Sequence, residues 1–182
     1  LLIDLDPQGN ATMGCGVDKH GLAFSVYDVL MHGAPVETVR QRAPEAGFDV
    51  IPANADLTAA EVELVTASVR EHRLRDALAR VKHDYDYVLI DCPPSLNMLT
   101  VNALVAADSV LIPVQCEYYA LEGLSSLLNT VTRVQKMLNP QLRIEGLLRT
   151  MYDARNSLTN EVSMQLIQHF GSRVYATLIP RN

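Results

Sequence analysis

Short apolar runs alternate along this chain with longer stretches whose apolar residues recur at helical spacing. Residues 1–5, 48–52, 87–90, 109–114, 144–151 and 174–179 read as strands. Several of these runs are continuous rather than alternating, the pattern of strands covered on both faces. Between them, residues 70–82 carry Leu74, Leu78 and Val81, and residues 97–106 carry Leu99, Ala103 and Leu104. Residues 122–138 carry Leu124, Leu127, Leu128, Val131 and Val134, and residues 159–170 carry Val162, Leu166, Ile167 and Phe170. Each set marks one face of a helix. Strand–helix alternation of this kind predicts an α/β fold with a doubly wound, mainly parallel sheet and helices on both faces. Residues 13–46 are the least regular and are expected to hold short helices and loops.

A length of 182 residues fits one domain with one sizeable core. A 48% hydrophobic share and a net charge of −6 exclude a disordered or fibrous chain. The acidic balance also argues against a protein coated in basic charge, while leaving room for a local basic patch. No apolar run reaches the ~20 residues needed to span a bilayer. The start, Leu1-Leu2-Ile3-Asp4, has no initiator Met, basic region or cleavage site, and reads as the second half of a strand. The end at Asn182 is as abrupt, so the chain is expected to be a fragment, with residues 1–182 forming a single partial domain. Cys15, Cys92 and Cys116 are odd in number, widely spaced and without a Cys-x-x-Cys pair, which points to reduced structural thiols rather than disulfides or a zinc site.

In open parallel sheets, ligands bind beyond the carboxyl ends of the strands. Two strand ends here carry acidic, Gly- and Pro-bearing sequences: Asp4-Leu5-Asp6-Pro7-Gln8-Gly9-Asn10-Ala11-Thr12 and Asp91-Cys92-Pro93-Pro94-Ser95. Val88-Leu89-Ile90-Asp91 has the form of a Walker B strand, whose carboxylate stands near Mg²⁺, usually through water. The alternative is an Asp that caps the next turn. Asp4 and Asp6 would share a face if the strand ran through both, and a cation or donor network should then lie between them. Asp6, stiffened by Pro7, could orient or deprotonate an attacking water, or could simply end the strand in a turn. No GxxxxGK[ST] loop occurs, none of Lys19, Lys82 and Lys136 follows a Gly-rich loop, and Gly9, Gly14 and Gly16 form no phosphate motif.

Four blocks together resemble the ParA/Soj family of chromosome- and plasmid-partition ATPases, within the group that includes MinD. They are residues 1–12, residues 86–96, the stretch Ile112-Pro113-Val114-Gln115-Cys116-Glu117-Tyr118-Tyr119-Ala120-Leu121-Glu122-Gly123-Leu124, and Thr150–Arg155 with Ile179-Pro180-Arg181-Asn182. The resemblance implies a deviant P-loop NTPase fold, here lacking the first strand and the phosphate loop, and an ATP-sandwich homodimer that uses ATP and Mg²⁺. It implies that Asp6 positions the hydrolytic water, that Asp4 supports it, and that Asp91 stands near Mg²⁺. It places Gln115 and Glu117 at the nucleotide and dimer partner, and Pro180 and Asn182 beside the adenine. Arg155 matches an arginine that binds DNA without reading bases, where its bland alternative is a solvated loop arginine. A ParB/Spo0J-like stimulating protein, non-specific nucleoid DNA and a cytoplasmic location are the implied partners and place, with no membrane expected.

Three departures from the family pattern stand out, one of them that the basic C-terminal region expected after Asn182 is missing. The deviant Walker A loop with its lysine pair is absent, so this chain alone is expected to be inactive as an ATPase. Arg149 stands where the family has an apolar strand residue, and is expected at a strand edge or at some loss of stability. Rival readings are a MinD-like membrane-associated ATPase, which would need an amphipathic C-terminal helix, and an inactive truncated scaffold. An iron–sulfur reductase would need its cysteines as cluster ligands.

Overall fold

The computed structural model describes all residues from Leu1 to Asn182. They form two compact units, residues 1–107 and residues 108–182, each with its own sheet and core. The length of the chain suggested one core; the strands instead join into two separate hydrogen-bonded sheets.

The first unit runs β1 (Leu2–Asp4), α1 (Asn10–Gly14), α2 (Val26–His32), α3 (Val36–Val39), β2 (Gln41–Arg42), β3 (Asp49–Ile51), α4 (Leu57–Thr66), α5 (Arg73–Leu78), β4 (Leu89–Asp91) and α6 (Met98–Ala106). Its sheet has the order β2-β3-β1-β4, with β1 parallel to both β3 and β4 and only the short β2 antiparallel. Val50 and Ile51, successive residues on opposite faces of β3, are both fully buried, so this part of the sheet is covered on both sides. The core joins Ile3 and Leu5 to Val26, Leu30, Leu57, Leu64, Leu74 and Leu99 from the surrounding helices. Helix starts follow from their caps. Ser25 and Asp28 form a reciprocal capping box at α2, and Asn97 accepts the N–H groups of Leu99 and Thr100 at α6.

β4 departs from expectation. Its apolar run suggested a strand covered on both faces, yet Leu89 and the preceding Tyr87 are exposed. β4 pairs with β1 on one side only and is the last strand of its hydrogen-bonded sheet.

The second unit runs β5 (Ser109–Gln115), α7 (Ala120–Met137), β6 (Arg143–Tyr152), α8 (Ser157–Phe170) and β7 (Val174–Pro180). Its three strands are parallel, in the order β5-β6-β7. Ile112, Val114 and Leu147 pack with Leu124 of α7 and with Val162 and Leu166 of α8. The last two strands do not pair evenly. Between Leu147 and Arg149 of β6, β7 advances from Val174 to Leu178, so the residues between them bulge.

That bulge explains Arg149, which lies on the central strand and not at an edge. Its side chain is buried and donates to Ser163 Oγ of α8 at 2.9 Å and to the carbonyls of Tyr175 and Ala176 at 3.0 and 3.3 Å. The guanidinium thus supplies donors to carbonyls in the bulged stretch, while its buried Nε has no partner.

Candidate functional site

In the first unit the two acidic strand ends meet. Asp4 and Asp91 are register partners across β1 and β4, and Leu5 donates its N–H to the Asp91 carbonyl at 2.8 Å. Three carboxylates therefore gather at the carboxyl ends of parallel strands, as open α/β sheets place their ligand sites.

The three carboxylates differ in surroundings. Asp4 is fully buried, and its Oδ1 accepts the Asp6 N–H at 3.0 Å. Its Oδ2 accepts the Thr12 N–H at 2.8 Å and the Thr12 hydroxyl at 2.7 Å. These donors serve Asp4 alone and do not lie between the two carboxylates, and they make Asp4 the brace of the following loop. The turn begun at Asp6 also ends the strand, so the two carboxylates do not continue along one extended face. Asp6 is half-buried. Its Oδ1 accepts the Gln8 N–H at 2.9 Å, and its Oδ2 has no protein partner. Asp91 lies on the exposed edge strand. Partial withdrawal of its carboxyl from water pushes its pKa up, and the charges of Asp4 and Asp6 push it the same way. None of the three takes part in an ion pair.

Two residues that composition did not single out complete this loop. The Thr12 hydroxyl, besides donating to Asp4, accepts the Ala53 N–H at 2.9 Å, tying the loop to the end of β3. Lys19 donates from Nζ to the Gln8 carbonyl. Gly9 turns the chain with φ +62°, and a Cβ there would stand 2.8 Å from the Ala53 carbonyl. A hydroxyl eight residues after a strand-end Asp was the available signal for Thr12; nothing in the pattern pointed to Lys19.

A Mg²⁺ ion fits this donor set on chemical grounds. It prefers one or two carboxylates with water and phosphate oxygens filling its octahedron. Asp91 and Asp6 offer carboxylate oxygens without a protein cation beside them, while no group of three or more ligating side chains forms an all-protein cage. Cys92, next to Asp91, has its thiol pushed up to about 12, chiefly by burial.

The other predicted residues lie in the second unit. Gln115 and Glu117 line an open cleft of about 650 Å³ at the end of β5, together with Ile112, Val114 and the exposed pair Tyr118 and Tyr119. Those two rings meet edge-to-face at 5.1 Å between centroids. Pro180 pairs with Tyr152 at the end of β7, and Asn182 is exposed just beyond it. Arg155, in the turn between β6 and α8, has a side chain 90% exposed and forms an ion pair with Asp153 at 3.0 Å. No helix is long and apolar enough to cross a membrane.

Comparison with known proteins extends this geometry. The AAA domain family matches residues 1–144. The sporulation initiation inhibitor protein Soj of Bacillus subtilis is 56% identical over 182 residues, covering 100% of this chain and 72% of that protein. The chromosome partitioning protein ParA of Caulobacter vibrioides is 52% identical over 184 residues, covering 100% of this chain and 69% of that one. Among solved structures, cobyrinic acid a,c-diamide synthase from Mycobacterium smegmatis, with bound ADP and magnesium, superimposes with a TM-score of 0.92 at 41% identity. That match covers 100% of this chain and 74% of the synthase chain.

Proposed function

The chain belongs to the ParA/Soj family of partition ATPases, and from that premise we propose that its three-carboxylate strand end is the hydrolytic half of an ATP–Mg²⁺ site that drives DNA partition. The supporting observation is the convergence of Asp4, Asp6 and Asp91 at the ends of β1 and β4 with no protein cation to balance them. The synthase name belongs to a neighbour at 41% identity, while the two partition proteins match at 52% and 56%. The partition reading follows the latter.

In this reading residues 1–182 serve as one ATPase domain. Asp4, saturated with donors, holds the loop. Asp6, with its free Oδ2, orients the attacking water. Asp91 faces Mg²⁺ through water, and the ion supplies charge stabilisation to the phosphates. Gln115, Glu117, Pro180 and Asn182 contact nucleotide or the dimer partner. ATP then acts as a population switch that favours a dimer able to bind DNA through Arg155, and a ParB-like protein in the cytoplasm stimulates release. Because residues 1–182 contain no Gly-rich loop ending in Lys, they do not turn over ATP by themselves.

The test joins a family phosphate loop ahead of Leu1 and measures duplex binding with and without ATP across a salt series. ATP-dependent, salt-sensitive binding is expected; affinity indifferent to ATP would overturn the switch. In that same protein Asp6→Ala should keep ATP-dependent DNA binding and lose turnover by about 10²-fold or more. Persistent turnover would remove Asp6 from the chemistry. Arg155→Glu should weaken DNA binding and spare dimerisation, whereas unchanged affinity would leave Arg155 a solvated loop residue.

A further inference from the structure

The carboxyl ends of β6 and β7 hold a charge cluster that the hydrolytic chemistry does not use. Met151, one residue before the end of β6, has φ +51°, a left-handed conformation that a side chain of this size rarely adopts. It coincides with a register shift between Arg149 and Tyr152. One residue later, Tyr152 still pairs with Pro180, and the chain then enters the turn Asp153-Ala154-Arg155-Asn156. There Asp153 Oδ1 accepts the backbone N–H of Arg155 and its Nε, each at 3.0 Å, and Oδ2 accepts Nη2 at 3.0 Å. The Nε–Nη2 edge of the guanidinium is thus occupied by a carboxylate two residues away. Arg181, at the end of β7, donates its backbone N–H to the Tyr152 carbonyl at 3.0 Å. Hydrogen bonds from Arg155, with the charges of Arg155 and Arg181, hold the Asp153 carboxyl below the usual range.

We propose that Asp153 is a built-in competitor for phosphate at Arg155, so that a duplex backbone must displace or outbid this carboxylate before it can bind. The inference rests on the DNA-binding reading of Arg155 above. Carboxylate and phosphate take the same guanidinium edge with the same bidentate geometry. A phosphate that takes Nε and Nη2 expels Asp153, and one that approaches Nη1 meets its repulsion. The pair is exposed, with side chains 90% and 29% accessible, and exposed pairs are weak enough to open. A single small anion gains little from opening it. A polyanion that also engages Arg181 and a second copy of the cluster gains enough, so Asp153 selects for extended nucleic acid over isolated phosphate.

The test uses the loop-joined protein described above, with ATP present, and its Asp153→Asn, Arg155→Ala and doubly substituted forms. Anisotropy of a labelled random-sequence duplex is measured at several salt concentrations, with inorganic phosphate as the small-anion competitor. Asparagine keeps the Oδ1 acceptor for the Arg155 N–H, so the turn persists, and circular dichroism checks the fold. D153N should tighten duplex binding about two- to fivefold, the range an exposed pair supports. Its salt dependence should steepen, because no freed carboxylate takes up a cation. The gain should vanish in the double variant, and phosphate should compete better against D153N than against the parent. If D153N binds equally or more weakly while Arg155→Ala still weakens binding, Asp153 is a bystander or a positioner and the proposal fails alone. If Arg155→Ala also changes nothing, or no form binds duplex, the DNA-binding reading fails with it.

Discussion

Replacing Thr12 by valine tests the brace of the candidate site. The substitution keeps the β-branched shape and removes one hydroxyl. That hydroxyl donates to Asp4 Oδ2 at 2.7 Å and accepts the Ala53 N–H at 2.9 Å, and Asp4, Thr12 and Ala53 are each fully buried. Losing a hydrogen bond to an ionised carboxylate costs about 1.5–3 kcal/mol, and stranding a buried N–H costs about 1–3 kcal/mol. The two losses share one atom and are not independent, so the expected destabilisation is about 3–5 kcal/mol. That is a large fraction of the about 5–15 kcal/mol that holds a typical domain together. Thr12→Ser keeps both bonds and loses one methyl group, worth about 1 kcal/mol. Urea unfolding measures the difference, with an unchanged slope showing that the same surface is exposed in each form. A loss below about 1 kcal/mol for the valine variant, or a serine variant as damaged as the valine one, would refute the brace.

Gly9→Ala must hold φ +62° with a Cβ 2.8 Å from the Ala53 carbonyl and 2.9 Å from Lys19 Cδ. It should lose about 2–3 kcal/mol by the same unfolding assay, while Gly14→Ala, which meets nothing within 4 Å, should be neutral or stabilising. With its thiol at about 12, Cys92 should resist iodoacetamide in the native protein near pH 8. Its reaction rate should rise about tenfold per pH unit above that, and a plateau below pH 10 would contradict the assignment. Asp49 is held below the usual carboxylate range first by the Tyr85 hydroxyl and then by Arg42 and Arg40. A lowered acid pKa gives stability that is full above the unfolded value and is lost as pH falls through the folded one. The Tm gap between the parent and Asp49→Asn should therefore shrink as the pH is lowered through the acid range, and a gap that widens would refute the linkage.

The repeating apolar runs made six strands legible, because a parallel strand leaves a continuous hydrophobic signature that few other elements share. The long helices were legible for the same reason; α7 and α8 each show an apolar face over several turns. What escaped was local. α4 places Leu57, Ala60 and Leu64 in the core, but its exposed Val62 and Val65 blur the helical face. The two-residue β2 is too short to leave a pattern. Of the two expectations for Arg149, a strand edge or a loss of stability, the edge does not hold, because a bulge on the neighbouring strand is a matter of pairing, which no single strand encodes. Asp4 and Asp6 were visible as a pair, but the division of labour between them was not. It depends on Thr12, whose two partners lie 8 and 41 residues away along the chain.

That division of labour gives the candidate site its chemistry. A buried carboxylate with three donors has little capacity left for a ligand. Asp4 therefore serves the fold, and its charge acts on its neighbours. Asp91 shows the effect: its carboxyl is driven up by partial burial and by the charges of Asp4 and Asp6, so the cluster favours any cation that enters. The nearest lysine contact in the loop, from Lys19, goes to a backbone carbonyl and leaves that demand unmet. A protein seeking stability alone would pair these carboxylates with arginine or lysine, as it does at Asp49. Keeping two carboxylates unpaired at a sheet's carboxyl end is unfavourable for the empty fold, and the cation of the proposed site would relieve that repulsion. Asp153 follows the opposite logic in the second unit, where the guanidinium proposed to meet an outside anion is satisfied from within. In the proposed reading, the carboxylates of the first unit lack positive charge and Arg155 of the second has its charge covered, and a phosphate ligand would relieve each condition, with Mg²⁺ at the first and without it at the second.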